Sequence, residues 1–213
     1  MIFDIEADGL LDEATKIHCM SCTVDGMTST SDYDEMRNIL LSQKVLIGHN
    51  IVRYDIPLIE KILGIKITAK LYDTLPMSWV INTDRPKHGL ESFGLDYGIP
   101  KPVVTDWVNL STEEYIHRCE EDVKINKKLW ENLVKRFMLV YKDKANLDRF
   151  LQYLTFKMKC AHAAEEIRWK LDVDLVQSCI TKLKAQQDHK IKELKAVMPM
   201  RTLTRIKTKP KVT

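Results

Sequence analysis

Asp4 and Glu6, in the run FDIEADGLL, are two acids one residue apart in an otherwise apolar stretch. If the stretch is a strand, both side chains leave it on the same face. Two carboxylates so placed repel each other and lose hydration when buried. A divalent cation offsets both costs; a wet strand end is the bland alternative. Asp55, in GHNIVRYDIPLI, falls where a strand gives way to a helix. A polar side chain there can reach a site at the strand ends, or simply serve the helix dipole. Asp122, in HRCEEDVKIN, sits mid-helix beside Val123. It belongs either to the buried side or to a solvated acidic face paired with Lys124 and Lys127. Taken together, the four acids suit hard cations that prefer oxygen, Mg²⁺ or Mn²⁺. Two such ions about 4 Å apart activate a water and stabilise the leaving 3′ oxygen of a phosphodiester. Spacing alone does not choose this reaction over other metal-assisted hydrolysis.

Positioning these acids requires an α/β frame. MIFDIE and KIHCMSCTV read as strands, and Asp25-Gly26 as a hairpin turn into a short third strand near 27–31. DYDEMRNILLSQ has helical spacing, KVLIGHN is a strand, and YDIPLIEKILG is a helix stopped by Gly64. IKITAKLYDT reads as a further strand and HGLESFGLDYG as a short helix, with 101–110 as loop. Ser111 and Glu114 form a capping-box pair that opens a long helix to about Phe137. Two amphipathic helical segments follow, about 146–170 and 173–196, and then a basic tail with Arg201, Arg205, Lys207, Lys209 and Lys211. The expected division is an α/β layered domain over 1–140 and a helical extension over 141–213.

The 213 residues are 45% apolar and 30% charged, with a net charge of +3. That supports one packed domain plus an extension, and it provides no global basic field, so nucleic-acid affinity must be local. No run of about 18 apolar residues is present to span a membrane, and MIFDIEADGL reads as neither a basic leader nor an apolar signal core. Five cysteines without dense pairing suit a reducing, cytoplasmic setting. Cys19 and Cys22 form C-x-x-C inside an alternating strand with no second pair, which argues against zinc.

The order DIE, HNIVRYD and a helix with EEDVKIN resembles the DEDD exonuclease superfamily. FDIEADGLL, GHNIVRYDIPLI, LYDTL and HGLESFGLDYGIPK are most similar to the proofreading domain of bacteriophage family A DNA polymerases, over about 1–137. Glu165–Lys170 followed by LDVD resembles the link into such a polymerase, and RIKTKPKV resembles a basic loop near its template. The resemblance implies a ribonuclease H-like fold with a central mixed sheet. It implies Asp4, Glu6, Asp55 and Asp122 as ligands of two Mg²⁺ or Mn²⁺ ions. It places Ile5, Ala7, Asp8, Gly9 and Leu10 beside the terminal nucleotide of a frayed or single-stranded DNA 3′ end, and gives Asn50 a role in holding the strand or orienting Asp55. The implied partner is a polymerase domain, on this chain or another, in the host cytoplasm of a phage.

The superfamily positions its attacking water with a Tyr four residues before the last Asp or a His five before it. Here those places hold Arg118 and His117. His117 fits the histidine subtype and is the expected catalytic residue, with a side chain suited to general base work. Regular helix geometry from Ser111 instead puts Arg118 on the face of Asp122, there to contact phosphate, and turns His117 away by about 140°. The leading expectation is therefore a proofreading 3′→5′ exodeoxyribonuclease. The alternatives are a catalytically weak DNA-binding or scaffold subunit and an RNA-trimming exonuclease. Trp107 and Tyr72 are candidates for base stacking, weighed against core roles; His18, His49 and His88 have ordinary structural explanations.

Overall fold

The computed structural model describes residues 1–102, 110–168 and 170–198; Trp107 and the basic tail lie outside them. Strand β1 (Phe3–Ala7) pairs antiparallel with β2 (Ile17–Cys22), which pairs antiparallel with β3 (Thr28–Thr30). Asp25 and Gly26, both at positive φ, make the expected hairpin turn between β2 and β3. Strand β4 (Val45–Gly48) runs parallel to β5 (Lys70–Asp73). A parallel bridge between Ile2 and Ile47 joins the two groups, reinforced by the Ile47 amide donating to Met1 O at 2.9 Å. The three-stranded antiparallel group and the two-stranded parallel group thus lie edge to edge in the order β3-β2-β1-β4-β5, a mixed arrangement of the expected fold class.

Helices α1 (Tyr33–Ser42) and α2 (Asp55–Leu63) cover one part of this sheet. Met36, Leu40, Leu58 and Ile59 pack there with Phe3, Met20 and Leu46 in one apolar cluster. A second cluster joins α3 (Thr74–Ile81), α4 (Leu90–Tyr97), α5 (Thr112–Tyr141) and α6 (Lys144–Ile167) through Met77, Phe93, Leu129, Phe137 and Leu151. Full burial of each such side chain contributes about 1.5–3 kcal/mol.

Two elements differ from expectation for identifiable reasons. The strand expected over 65–74 is confined to Lys70–Asp73. Glu60 accepts from the Ile67 amide at 2.9 Å, which holds the segment after α2 against that helix rather than in the sheet. TLPMSWVI, not anticipated as a helix, forms α3 because the Asp73 carboxylate accepts from the Leu75 amide and caps it.

The compact units divide between Ile167 and Arg168, later than the expected boundary at 140. The reason is α6, whose Thr155 hydroxyl donates to Leu71 O at 2.9 Å and whose Lys70–Asp148 ion pair lies against β5. Met158 reaches the cluster built on β1 and α2. Among the described residues, the second unit holds α7 (Val173–Val197), capped by Asp172, and no residue of that helix is buried.

At the end of β4 the chain has no room for a side chain. A Cβ on Gly48 would lie 2.0 Å from Ile51 Cγ2 and 3.2 Å from Phe3 O. Immediately beyond, Asn50 adopts φ 64°, so the backbone reverses sharply before α2.

Candidate metal centre

Strand β1 delivers Asp4 and Glu6 to one face, and the pairing with β2 shifts register directly after Glu6, where a bulge re-aims the strand end. Helix α5 delivers Asp122. Its buried stripe runs Tyr115, Cys119, Asp122, Asn126, Leu129, Leu133 and Phe137, so Asp122 belongs to the inward face rather than to a solvated acidic one. The helix is fixed over the sheet at its near end. Its Ser111–Glu114 capping box is complete. Tyr115 stacks on His18 with ring centroids 3.9 Å apart, and Ser29 donates to Glu120 at 2.8 Å.

In consequence Asp4, Glu6 and Asp122 offer carboxylate oxygens that all lie within 4.8 Å of one another. Asp55, the first residue of α2, lines the same open cleft of about 240 Å³, with His49, Asn50, Tyr54, Lys101 and Arg118. The charge repulsion is evident in the proton affinities. Burial, then Asp122, Asp55 and Glu6, push Asp4 well above the ordinary carboxylate range. Burial, then Asp73, push Asp55 up to about 8. Burial raises Glu6 against the pull of Arg118, and Asp122 against the pull of Lys101. Two buried oxygens in the cleft, Asn50 Oδ1 and Asp122 Oδ1, have no hydrogen-bond partner among the described residues. Hard oxygen donors, excess negative charge and unused lone pairs fit a Mg²⁺- or Mn²⁺-type ion.

The neighbouring expected residues have distinct placements. Ile5 is buried beside the cleft and Ala7 ends β1. The Asp8 carboxylate accepts from the Thr15 amide, the Thr15 hydroxyl and the Lys16 amide, and it is pulled down to about 2. It closes its own loop. Gly9 O accepts from the Tyr54 hydroxyl at 2.6 Å, while Leu10 is 73% exposed at the loop tip. Arg118 reaches the cleft and pairs with Glu6 at 3.0 Å. His117 does not: it is exposed and absent from the cleft lining. Helix α5 starts at Thr112 and runs on through Asp122, so the expectation that His117 faces the acids gives way to regular 100° stepping.

Four residues were not singled out from sequence. Lys101 Nζ lies 2.5 Å from Asp122 Oδ2, with 16% and 6% of the two side chains exposed. Asp73, pushed up to about 6 chiefly by burial, accepts from the amides of Asn50 and Val52 and so holds the left-handed turn beside Asp55. Its signal was visible, an acid ending a strand in LYDT. The Cys119 thiol donates to Asp4 O at 3.2 Å. Thr74 donates to Asn126 Oδ1 at 2.7 Å, which leaves its oxygen to accept from His49 Nδ1 at 2.9 Å. Burial holds His49 neutral, down to about 4. Tyr72, considered for base stacking, stacks on Trp130 and bonds to Asp148 instead.

No family model matches the chain, and no curated protein sequence does. Solved structures do match. Brucella melitensis NrnC aligns at 15% identity and TM-score 0.55, over 75% of this chain and 84% of that one. The same protein bound to pGG aligns at 16% identity and TM-score 0.57, over 75% and 82%. Its form with bound Mg²⁺ aligns at 16% identity and TM-score 0.56, over 75% and 83%. These likenesses show a shared fold, a ribonuclease H-like mixed α/β architecture. Closeness to phage polymerase proofreading domains is not among them. Among the described residues, no helix is long and apolar enough to cross a membrane.

Proposed function

We propose that this chain is a divalent-metal-dependent 3′→5′ exonuclease that releases nucleoside 5′-monophosphates. The observation that carries the reading is the convergence of Asp4, Glu6 and Asp122 within 4.8 Å, with Asp55 in the same cleft. Asp4, Glu6, Asp55 and Asp122 would hold Mg²⁺ or Mn²⁺, which supplies an activated water and charge for the leaving oxygen. Cys119 and Asp73 keep the ligands and the Asn50 turn in place. Arg118 holds Glu6 and supplies positive charge near an incoming phosphate, but a guanidinium offers only donors and no acceptor for a proton from water.

The substrate reading that has most support is a short single-stranded oligonucleotide, RNA included, because a protein of this fold was solved bound to pGG. Proofreading of DNA 3′ ends for a family A polymerase is the second reading, supported by FDIEADGLL and GHNIVRYDIPLI. Incubation with Mg²⁺ or Mn²⁺ and 5′-labelled single-stranded DNA, RNA and dinucleotides, beside Asp4→Ala, tests both. Stepwise shortening from the 3′ end is expected for wild type only. No cleavage under either metal would leave a binding or scaffold role, and preference between the sugars chooses the substrate.

A further inference from the structure

The Lys101–Asp122 pair is an ion pair inside a cleft that already carries excess negative charge. Both side chains are largely withdrawn from water, and burying an ammonium is costly unless it is matched. Lys101 therefore uses one of the oxygens of Asp122 that a metal would need, while the other, Oδ1, has no partner among the described residues. Arg118 occupies Glu6 in the same way. Two of the three clustered acids are thus each gripped by a cation from the chain itself.

We propose that Lys101 is an exchangeable counter-cation: it neutralises Asp122 until a substrate phosphate draws it away, releasing Asp122 to the metal. Lysine suits this exchange, being a flexible point charge without a fixed bonding plane. The consequence is coupling. Metal alone must displace Lys101, whereas metal arriving with a phosphate meets a carboxylate whose cation has been drawn off. Coupling of this kind is reciprocal, so phosphate binding gains from metal by the same factor. The inference rests on the proposed nuclease reading for the nature of the anion, but not for the competition between Lys101 and metal.

The test is Mn²⁺ binding by the full chain, followed by electron paramagnetic resonance, with and without adenosine or deoxyadenosine 5′-monophosphate. Wild type should bind Mn²⁺ more tightly when nucleotide is present, on the order of tenfold. Lys101→Met should bind Mn²⁺ more tightly than wild type without nucleotide, and should gain little from it. Lys101→Arg should restore the coupling in part, and circular dichroism establishes that the variants fold. Equal or weaker Mn²⁺ binding by Lys101→Met overturns the competition. Coupling retained in Lys101→Met overturns the transfer. If neither wild type nor variant binds Mn²⁺, the nuclease reading falls together with this one; if metal binds and coupling is absent, only this one falls.

Discussion

Arg118 Nε lies 3.0 Å from Glu6 Oε1, so the residue one helical turn before Asp122 grips the second acid of the β1 pair. In the proposed nuclease, Arg118 fills the position on α5 to which the family resemblance assigns a water-orienting side chain. His117, its neighbour, points to solvent. Arg118→Ala should therefore lower kcat/KM on the order of tenfold or more, the scale for losing one charged contact to a phosphate. His117→Ala should stay within about twofold of wild type. Steady-state cleavage of a labelled oligonucleotide separates them, and the opposite ranking would return the water-orienting role to His117.

Asp4 is the most crowded of the acids, raised by burial and by Asp122, Asp55 and Glu6 together. Asp4→Asn removes that repulsion while keeping the shape. It should stabilise the metal-free protein by about 1 kcal/mol, a Tm rise of about 2–4 °C. Nucleotide release should fall by about 10²- to 10³-fold, the scale for losing a charge-stabilising group. Thermal unfolding with chelator and a cleavage assay measure the two, and a lower Tm would mean that Asp4 serves the apo fold.

Asp55 is pushed up to about 8, so its protonated form is the one the metal-free fold favours. A raised native pKa gives stability that is complete below the unfolded value and lost as pH climbs through the native one. His49 acts in the other direction, but only below its unfolded value of 6.5. Between about pH 6.5 and 8, metal-free protein should accordingly lose Tm as pH rises, and Asp55→Asn should flatten that slope. Mn²⁺ at about a hundred times its Kd should add about 2.7 kcal/mol. A slope unchanged in Asp55→Asn would assign the loss to another acid.

Asp73 binds the amides of Asn50, Val52 and Leu75. Asp73→Ala leaves buried donors without an acceptor, at about 1–3 kcal/mol for each such group. The same change frees the Asn50 turn, so kcat should fall more than stability alone explains. Comparing kcat below the unfolding range with Tm decides it; kcat equal to wild type would confine Asp73 to stability.

Most strands and helices were legible because their signals are local: alternation in β2, the Asp25-Gly26 turn, the Ser111–Glu114 box, Gly64 after α2. The shared face of Asp4 and Glu6 was legible through their spacing on one strand, whereas spacing left Asp122 open between a buried and a solvated face and only the family resemblance joined it to the pair. What was not legible depended on distant packing. Lys101 lies in a loop, and nothing in its neighbours announces a partner 21 residues away on α5. The strand over 65–74 was overdrawn because Glu60 competes for the Ile67 amide, a contact that periodicity does not encode. Helix α6 was assigned to the extension because its attachment runs through Thr155 and Leu71 O, a side-chain bond to a strand far back in the chain.

Gly48 offers the cleft no functional group, yet the tight approach of Ile51 and Phe3 leaves space there only for hydrogen. His49, Asn50 and Asp55 all follow it within a few residues, and their directions are inherited from that turn. The precision of the acidic cluster is therefore borrowed from an atom that is missing. A tolerance map of the chain, scored by cleavage, would rank this chemically blank position beside the carboxylates themselves.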